Sequence, residues 1–550
     1  MKEPPLSHDE IERRLGTMAT PAPPVPGSLY GYVRELPKEY PMSASRFRPS
    51  LWRPRPRLIT AAGAIAAVLV IALGGNLFIQ AQKSPPAGLP SGSASSTPTE
   101  TPPPTASASA SGPKTRVVWF IGLGAGSQPN QLQAETDFRA RYNATNTDNI
   151  SLELSIISGG AADDTPDKEL ARNGGADIVG PIGIQTRAGL PDRFLPLDDL
   201  IAQNKTDLSA YPPAALKAFK NPAGQYESLP YIEYPAFIFY NKDLFKAAGL
   251  PDLPTQIGEQ YMGQDWTWDE LATIAKQLTI DATGKKSTDP AFYAAKIRDY
   301  GFDTQWINEL RRLATPWGAG SYVATDGKTA QIPAVWEQAW KWYYDAMWTS
   351  HFAPNDAERS AADLGAGTTI ATGRVAMELA WSWGISSFGP HDANYAPTPA
   401  PYKHWDIGVL PSNDGLTTDP VDADSFVIIK TSKNPGAAYK TMLAIMADPS
   451  LMALYGGMPV NPSQQAAYFK TQQAAVDAQF ADNPVTWSVL TEMAEYAASP
   501  THQDPYPNYV QGTTDDQAFY ARLQSKGGLN LDAEIAKFKA TLQADFKAAP

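Results

Sequence analysis

The hydrophobic pattern of the chain is dominated near its start by an uncharged apolar run, Leu58–Ile79. As a helix, this run would reach about 30 Å at ~1.5 Å per residue, which is enough to cross a bilayer. Five arginines lie within residues 46–57, whereas only Lys83 follows the run closely. The pattern therefore predicts a single transmembrane helix over residues 58–80, with a cytoplasmic N-terminus and an external C-terminus. A buried core helix is the alternative.

The segments on either side of this run are polar and rich in proline. Residues 1–57 predict a mostly disordered cytoplasmic segment, and residues 81–113 a Pro/Ser/Thr-rich linker that cannot form a core. A cleaved signal peptide is an alternative to the anchor. We favour an uncleaved helix, because the apolar stretch exceeds the usual 7–15 residues and a long segment precedes it.

From Lys114 onwards, short apolar strands alternate with helical patterns. Arg116–Gly122 predicts a buried strand, residues 131–143 a helix, and Ser151–Ile157 a second strand. This alternation is typical of an α/β fold with parallel sheets. Residues 114–550 are too many for one ordinary core, so we expect two lobes.

Composition removes several classes of function. The chain is 43% hydrophobic and carries a net charge of −12, which argues against nucleic-acid binding. It has no cysteine, which excludes disulfides, thiolate metal sites and a lipoprotein anchor. Its 5 histidines lack metal-ligand spacing, and Gly122-x-Gly124-x-Gly126 lacks the last glycine of a dinucleotide fingerprint. We therefore predict no metal, no cofactor and no catalytic residue.

One longer motif is more informative. Leu229–Leu250 reads as an apolar strand, a turn at Asn241 and a helix that Gly249 ends, and Trp266–Leu271 opens a second helix with an acidic first turn. These residues resemble the "LPY", "YNKDLFKKAGL" and "TWDEL" motifs of family 1 extracellular solute-binding proteins of ABC transporters. The resemblance is to the carbohydrate-binding, maltose-binding-protein-like type of this family.

Five further segments match motifs of the same family, two of them before and three after the motif above, and all occur in the family's order. They are Asp177–Val179, Leu195–Asp199, Gly373–Met377 with the tryptophans after it, Trp405–Pro411 and Ile429–Pro435. The resemblance covers residues 114–550 and not residues 1–113.

The resemblance implies a two-lobed, type II periplasmic-binding-protein-like fold. Lobe 1 would comprise about 114–230 and 425–475, and lobe 2 about 231–422 and 476–550. It also implies a monomer that closes by hinge motion around a sugar, an oligosaccharide or a related small solute. An ABC permease would then recognise the closed form.

Sugar sites combine aromatic rings, which stack on C–H faces, with polar side chains that bind hydroxyls. The resemblance and this chemistry together predict nine ligand contacts: Trp119, Glu233, Tyr234, Trp306, Trp317, Trp381, Trp383, Asp422 and Asp424. Trp336, Trp340 and Trp348 recur at helical spacing and are predicted to be packing residues instead.

Two other functions stay open. The segment 1–57 would suit a ligand-sensing receptor that uses the same fold for signalling. A glycan-processing enzyme would need paired carboxylates, but Asp163-Asp164 and Asp198-Asp199 are better explained as solvated loop residues. We therefore expect a binding protein and not an enzyme.

Overall fold

The computed structural model describes residues 113–550 apart from 124, 127–128, 157–174, 189, 191, 222, 305–306, 361–363, 365–368, 388–401, 481 and 550. The predicted cytoplasmic segment, the predicted transmembrane helix 58–80 and all but the last residue of the predicted linker lie outside these residues. Within the described part of the chain, no helix has the length and apolar character needed to span a bilayer.

The strands are, in chain order, β1 Thr115–Ile121, β2 Ile150–Ile156, β3 Ile178–Gly183, β4 Ser228–Tyr234, β5 Ala236–Asn241, β6 Gln260–Tyr261, β7 Gln264–Asp265, β8 Ile280–Asp281, β9 Ile297–Asp299, β10 Asp303–Thr304, β11 Met377–Trp381, β12 Trp405–Gly408, β13 Asp422–Ile428 and β14 Met458–Pro459.

The α-helices are α1 Pro129–Thr145, α2 Ile184–Ala188, α3 Asp198–Asn204, α4 Pro213–Ala218, α5 Lys242–Ala248, α6 Trp268–Leu278, α7 Leu310–Ala314, α8 Ala334–Trp348, α9 Asp356–Arg359, α10 Pro435–Met446, α11 Pro449–Tyr455, α12 Pro462–Asp477, α13 Ser488–Ala494, α14 Tyr509–Ser525 and α15 Leu531–Ala548.

These elements form a two-lobed α/β fold around two main sheets, as predicted. The first sheet has six strands in the order β14-β4-β13-β3-β1-β2, and the second has four in the order β10-β11-β5-β12. The chain leaves the first sheet on β4 and enters the second on β5 directly afterwards, and it returns to the first sheet on β13. The lobe boundaries proposed from sequence stay a prediction.

The prediction of parallel sheets is wrong for most of the strand pairs. β1 pairs in parallel with β2 and β3, but β13 is antiparallel to both β3 and β4. In the second sheet, β5 is antiparallel to β11 and β12. The reason is the route of the chain: β4 leaves the first sheet and β13 returns to it, so neighbouring crossing strands run in opposite directions.

Local sequence signals set the predicted motif around β5 and α5. The side chain of Asn241 accepts hydrogen bonds from Asp243 N and Leu244 N, so it caps α5. Gly249 ends the same helix with a left-handed φ of 74°. Thr267 likewise caps α6, whose first turn is acidic. The helix-strand order predicted for this motif is confirmed.

The second lobe is built around tryptophans. Trp268 of α6 stacks on Trp317 with ring centroids 5.4 Å apart, and Trp342 of α8 packs edge-on against both rings. Trp336 and Trp340 are fully buried along α8, as helical spacing predicted. Burial of aromatic surface on this scale is the main source of stability in such a core.

Gly301 offers a test of this packing. A methyl group at Gly301 would overlap the main-chain carbonyl of Ala275 in α6, whereas a methyl group at Gly436 in α10 would meet nothing within 4 Å. We expect Gly301→Ala to lower the free energy of unfolding by about 2 kcal/mol or more, since the main chain must shift. Gly436→Ala is the matched control and should be neutral or stabilising by about 0.5 kcal/mol. Equal denaturant midpoints for the two variants would contradict this packing.

Candidate ligand-binding site

Three distant parts of the chain meet where β4 passes into β5. Tyr234, the last residue of β4, pairs with Asp422 at the start of β13. Ala236, the first residue of β5, pairs with Trp381 at the end of β11. The crossing strands therefore bring together predicted ligand residues that lie far apart in sequence. We call the resulting group the crossover cluster; it consists of Glu233, Tyr234, Arg312, Trp381, Ser382, Trp383, Asp419, Asp422, Asp424, His502 and Gln503.

Asp422 is the hub of the crossover cluster. Its carboxylate lies 3.0 Å from Nη2 of Arg312 and 2.8 Å from Nε2 of His502, and it accepts a 2.7 Å hydrogen bond from Nε2 of Gln503. Burial by itself would raise the pKa of Asp422, but the charge of Arg312 and the bond with His502 hold it below its usual value. Asp422 is therefore an ionised, buried carboxylate with a matched cation.

Trp381 and Trp383 have different environments. Trp381 is fully buried, donates its indole N–H to the carbonyl of Pro420 at 2.9 Å, and lies under the guanidinium of Arg312 at 5.4 Å from the ring centroid. Trp383 is only partly buried, stacks on Trp381 at 6.2 Å and donates a hydrogen bond to Asp422. Trp381 thus supports Trp383, and Trp383 is the more exposed ring of the two.

Asp424 and Glu233 are partly buried carboxyl groups of the crossover cluster. Asp424 accepts a 3.2 Å hydrogen bond from the hydroxyl of Tyr234, and burial together with the charge of Asp422 raises its pKa to about 7. Burial also raises the pKa of Glu233 to about 7. Strand register places Asp422, Asp424 and Tyr234 on one face of the β4–β13 pair and Glu233 on the other.

Several buried polar atoms of the cluster have spare hydrogen-bonding capacity. Asp419 is fully buried; its Oδ1 accepts from Ala236 N at 3.0 Å, but its Oδ2 has no partner among the described residues. The same holds, within that part of the chain, for Ser382 Oγ, Gln503 Oε1 and Arg312 Nε. Buried polar atoms in native proteins are almost always paired, so this concentration indicates a place for ligand or water.

The other predicted contacts lie elsewhere. Trp119 is fully buried in the first sheet and donates its indole N–H to the carbonyl of Gly180 at 2.8 Å. Trp317 is buried against Trp268 in the core of the second lobe. Trp306 lies outside the described residues. The structure thus brings together Glu233, Tyr234, Trp381, Trp383, Asp422 and Asp424, and places Trp119 and Trp317 in packing positions, so ligand contact by these two stays a prediction only.

Sequence reasoning missed Arg312, Asp419, His502 and Gln503. The sequence did contain a signal for Arg312, because Arg311 and Arg312 interrupt an apolar stretch that ends at Pro316. Both arginines are buried in the structure. A buried arginine requires an acidic partner, although the sequence does not say which one. His502 and Gln503 had no such signal, because their contact with Asp422 spans about 80 residues.

Glu135 of α1 is a buried carboxyl group outside the crossover cluster, under the glycine-containing loop that follows β1. It is fully buried, and its Oε1 accepts a 2.9 Å hydrogen bond from the hydroxyl of Tyr455. A Cβ at Gly126 would lie 2.6 Å from the same oxygen, which requires glycine there. Burial raises the pKa of Glu135 to about 8. A carboxyl group packed against this loop is unsuited to the phosphates of a dinucleotide.

No group of three or more acidic or histidine side chains within the described ranges has the geometry of a metal site. The crossover cluster can supply an aromatic face, hydrogen-bond acceptors and one arginine. Together with the two lobes and their crossing strands, these features are those of the bilobal class of binding proteins, whose lobes close around small molecules.

Comparisons with known proteins agree with this class. The family model described as bacterial extracellular solute-binding protein matches residues 125–442, more than half of the chain. The chain belongs to this family, and its maltose-binding-protein-like relatives are among the structures that it resembles. No curated protein matches the chain in sequence.

Solved structures share the fold at low sequence identity. An ABC substrate-binding protein from Listeria monocytogenes in complex with cycloalternan matches with a TM-score of 0.58 at 18% identity, over 78% of this chain and 98% of that one. The sugar-binding protein MalE from Xanthomonas citri matches with a TM-score of 0.53 at 17% identity, over 79% and 98%. UgpB from Mycobacterium tuberculosis, in complex with glycerophosphocholine, matches with a TM-score of 0.53 at 16% identity, over 80% and 99%.

The buried carboxyl group of Glu135 predicts a pH effect on stability. Its folded-state pKa of about 8 exceeds that of an unfolded glutamate, so the folded state retains a proton that the unfolded state loses. Stability relative to Glu135→Gln should therefore fall as pH rises between about 4.5 and about 8, by up to about 1.4 kcal/mol per pH unit, and then level off. Urea unfolding across this range measures the difference. The surface variant Glu153→Gln is the control, and parallel curves for wild type and Glu135→Gln would overturn the assignment.

Proposed function

We propose that this protein is a membrane-anchored extracellular solute-binding protein that captures a sugar or oligosaccharide at the crossover cluster and presents it to an ABC permease. The observation that carries the proposal is the convergence of Trp383, Tyr234 and the carboxylates of β13 at the strands that cross between the lobes. Aromatic rings and carboxylates are the groups that bind the C–H faces and hydroxyls of a sugar.

The mechanism is binding without chemistry. Trp383 follows β11 of the second sheet and Asp424 lies on β13 of the first, and ligand contacts with both stabilise a closed form. Asp422, held by Arg312 and His502, orients Trp383 through its hydrogen bond and does not need to contact ligand itself. The closed form is then the state that a permease recognises.

The solved relatives support a carbohydrate ligand and a non-enzymatic role. Those from Listeria and Xanthomonas are substrate- or sugar-binding proteins, and others were solved in complex with tagatose, maltotriose or ribitol. Identities below 20% do not transfer any one of these ligands to this chain. We infer the ligand class from the side chains of the cluster.

Removal of the exposed aromatic face tests the proposed ligand site. We expect the full-length protein, purified in a mild detergent, to bind at least one member of a panel of mono- and oligosaccharides by calorimetry, with a change in tryptophan fluorescence. Trp383→Leu should weaken that binding about tenfold or more, since a stacked ring contributes roughly 1–2 kcal/mol.

Tyr293→Leu is the matched control, because Tyr293 is an exposed aromatic residue with 53% of its surface accessible in a loop of the second lobe. It should bind as wild type does. Failure of every sugar to bind would refute the proposal. Equal affinities for Trp383→Leu and wild type would show that the ligand does not bind at Trp383.

The anchor is tested separately. We expect the full-length chain to stay in the membrane pellet after a carbonate wash, and Leu69→Arg with Val70→Arg to release it, because each central arginine costs about 3 kcal/mol on insertion. Ser84→Arg with Ala87→Arg, in the predicted linker, is the control and should stay membrane-bound. A wild-type chain found in the supernatant without residues 1–80 would show a cleaved signal peptide instead.

A further inference from the structure

We propose that the crossover cluster selects a hydroxylated ligand that carries a positive charge, such as an amino sugar or amino polyol, over its neutral counterpart. The inference rests on the proposed function and specifies the ligand class of the same site. Its basis is the balance of charged groups around Asp422, together with the exposure of Asp424.

Carboxyl groups outnumber basic side chains in the cluster. The carboxyl groups are those of Glu233, Asp419, Asp422 and Asp424, whereas Arg312 is the cluster's arginine and His502 its histidine. Arg312 is already committed, because its guanidinium lies 3.0 Å from Asp422. Burial lowers the pKa of His502, so it contributes little positive charge at neutral pH. The remaining three carboxyl groups have no cation of their own among the described residues.

Asp424 is the carboxyl group best placed for a ligand cation. It is partly exposed, it follows Asp422 on the same face of β13, and its hydrogen-bond partner in the described structure is the hydroxyl of Tyr234. The partly exposed ring of Trp383 is bonded to Asp422, the next carboxylate on that face. A carboxylate next to Tyr and Trp rings is the arrangement that attracts an ammonium group.

Asp419 is a further carboxyl group of the cluster without a cation partner among the described residues. It is fully buried with one oxygen unpartnered in the described part of the chain, and burial, with a smaller contribution from the charges of Glu233 and Asp422, raises its pKa well above the usual value. A neutral sugar would leave these carboxyl groups without a cation, whereas an ammonium group would supply one and favour the ionised form of the carboxyl group that it meets. An anionic solute would add a further negative charge and should be rejected.

A proton and a ligand cation would compete for Asp424. The titratable groups that surround it are Asp422 on the same strand, Tyr231 and Tyr234 on β4, and Arg312 and His502 beyond Asp422. Burial and the charge of Asp422 already bring the pKa of Asp424 to about 7. Acidification therefore fills the site with a proton, and the affinity for a cation should fall as pH decreases from about 7.

Matched ligand sets test the proposal on the full-length protein in detergent. Each set contains a neutral sugar or polyol, its primary amine and its N-acetyl derivative: glucose, glucosamine and N-acetylglucosamine; galactose and its derivatives; sorbitol, 1-amino-1-deoxysorbitol and its N-acetyl form. In at least one set, calorimetry should show the amine binding roughly tenfold tighter than both neutral members. Its affinity should fall roughly tenfold from pH 7 to about pH 5.5, while that of any neutral binder should stay constant.

Asp424→Asn should abolish the preference for the amine and retain the affinity for neutral members. Asp192→Asn is the control, since Asp192 is a solvent-exposed aspartate with a left-handed φ of 63° that asparagine accepts, and it should bind as wild type does.

The outcomes separate the two proposals. A neutral member that binds as tightly as its amine overturns the charge preference and leaves the sugar-binding function standing. An amine preference that survives Asp424→Asn overturns the assignment to this carboxylate. No binding by any member overturns the proposed function, and the charge preference with it.

Discussion

The buried ion pair of Asp422 and Arg312 is the interaction on which the site depends. Asp422 lies on β13, where the chain returns to the first sheet, and Arg312 comes from α7 of the second lobe. A buried carboxylate without a cation is strongly destabilising, so the pair ties the crossing strand to a helix of the other lobe. His502 and Gln503 bring a third segment to the same carboxylate. The side chains that we propose as ligand contacts are arranged around this fixed point.

The carboxyl groups around Asp422 differ from it in their pKa values. Asp422 stays ionised because a cation and donors face it, whereas Asp424 and Glu233 lack such partners and their pKa values rise to about 7. One short stretch of chain thus holds one carboxylate that its partners keep ionised and another carboxyl group whose pKa lies near neutral pH. The fold is shared with binding proteins for many solutes, so these side chains, and not the architecture, decide what is bound.

Much of the fold follows from local sequence signals. β1 and β2 begin and end within one residue of the strands predicted from their β-branched and aromatic runs, and Asn241 and Gly249 cap α5 as the motif indicated. The parallel direction of the sheets was predicted wrongly because strand patterns carry no information on direction. Direction was set by the route of the chain between lobes, which brings β13 back beside β4.

The sequence by itself determined the family, the two-lobed α/β class and the tryptophans of α8 as packing residues, since these depend on short-range patterns and ordered motifs. It also predicted Trp383, Tyr234 and Asp424 as ligand contacts, on residue type and family position, and this stays a prediction. Only the tertiary structure decided that Trp119 and Trp317 lie inside cores and that Asp422 is paired with Arg312 and His502. Those facts depend on burial and on contacts across about 80 to 110 residues, and the charge of a carboxyl group is set by neighbours that the linear order does not reveal.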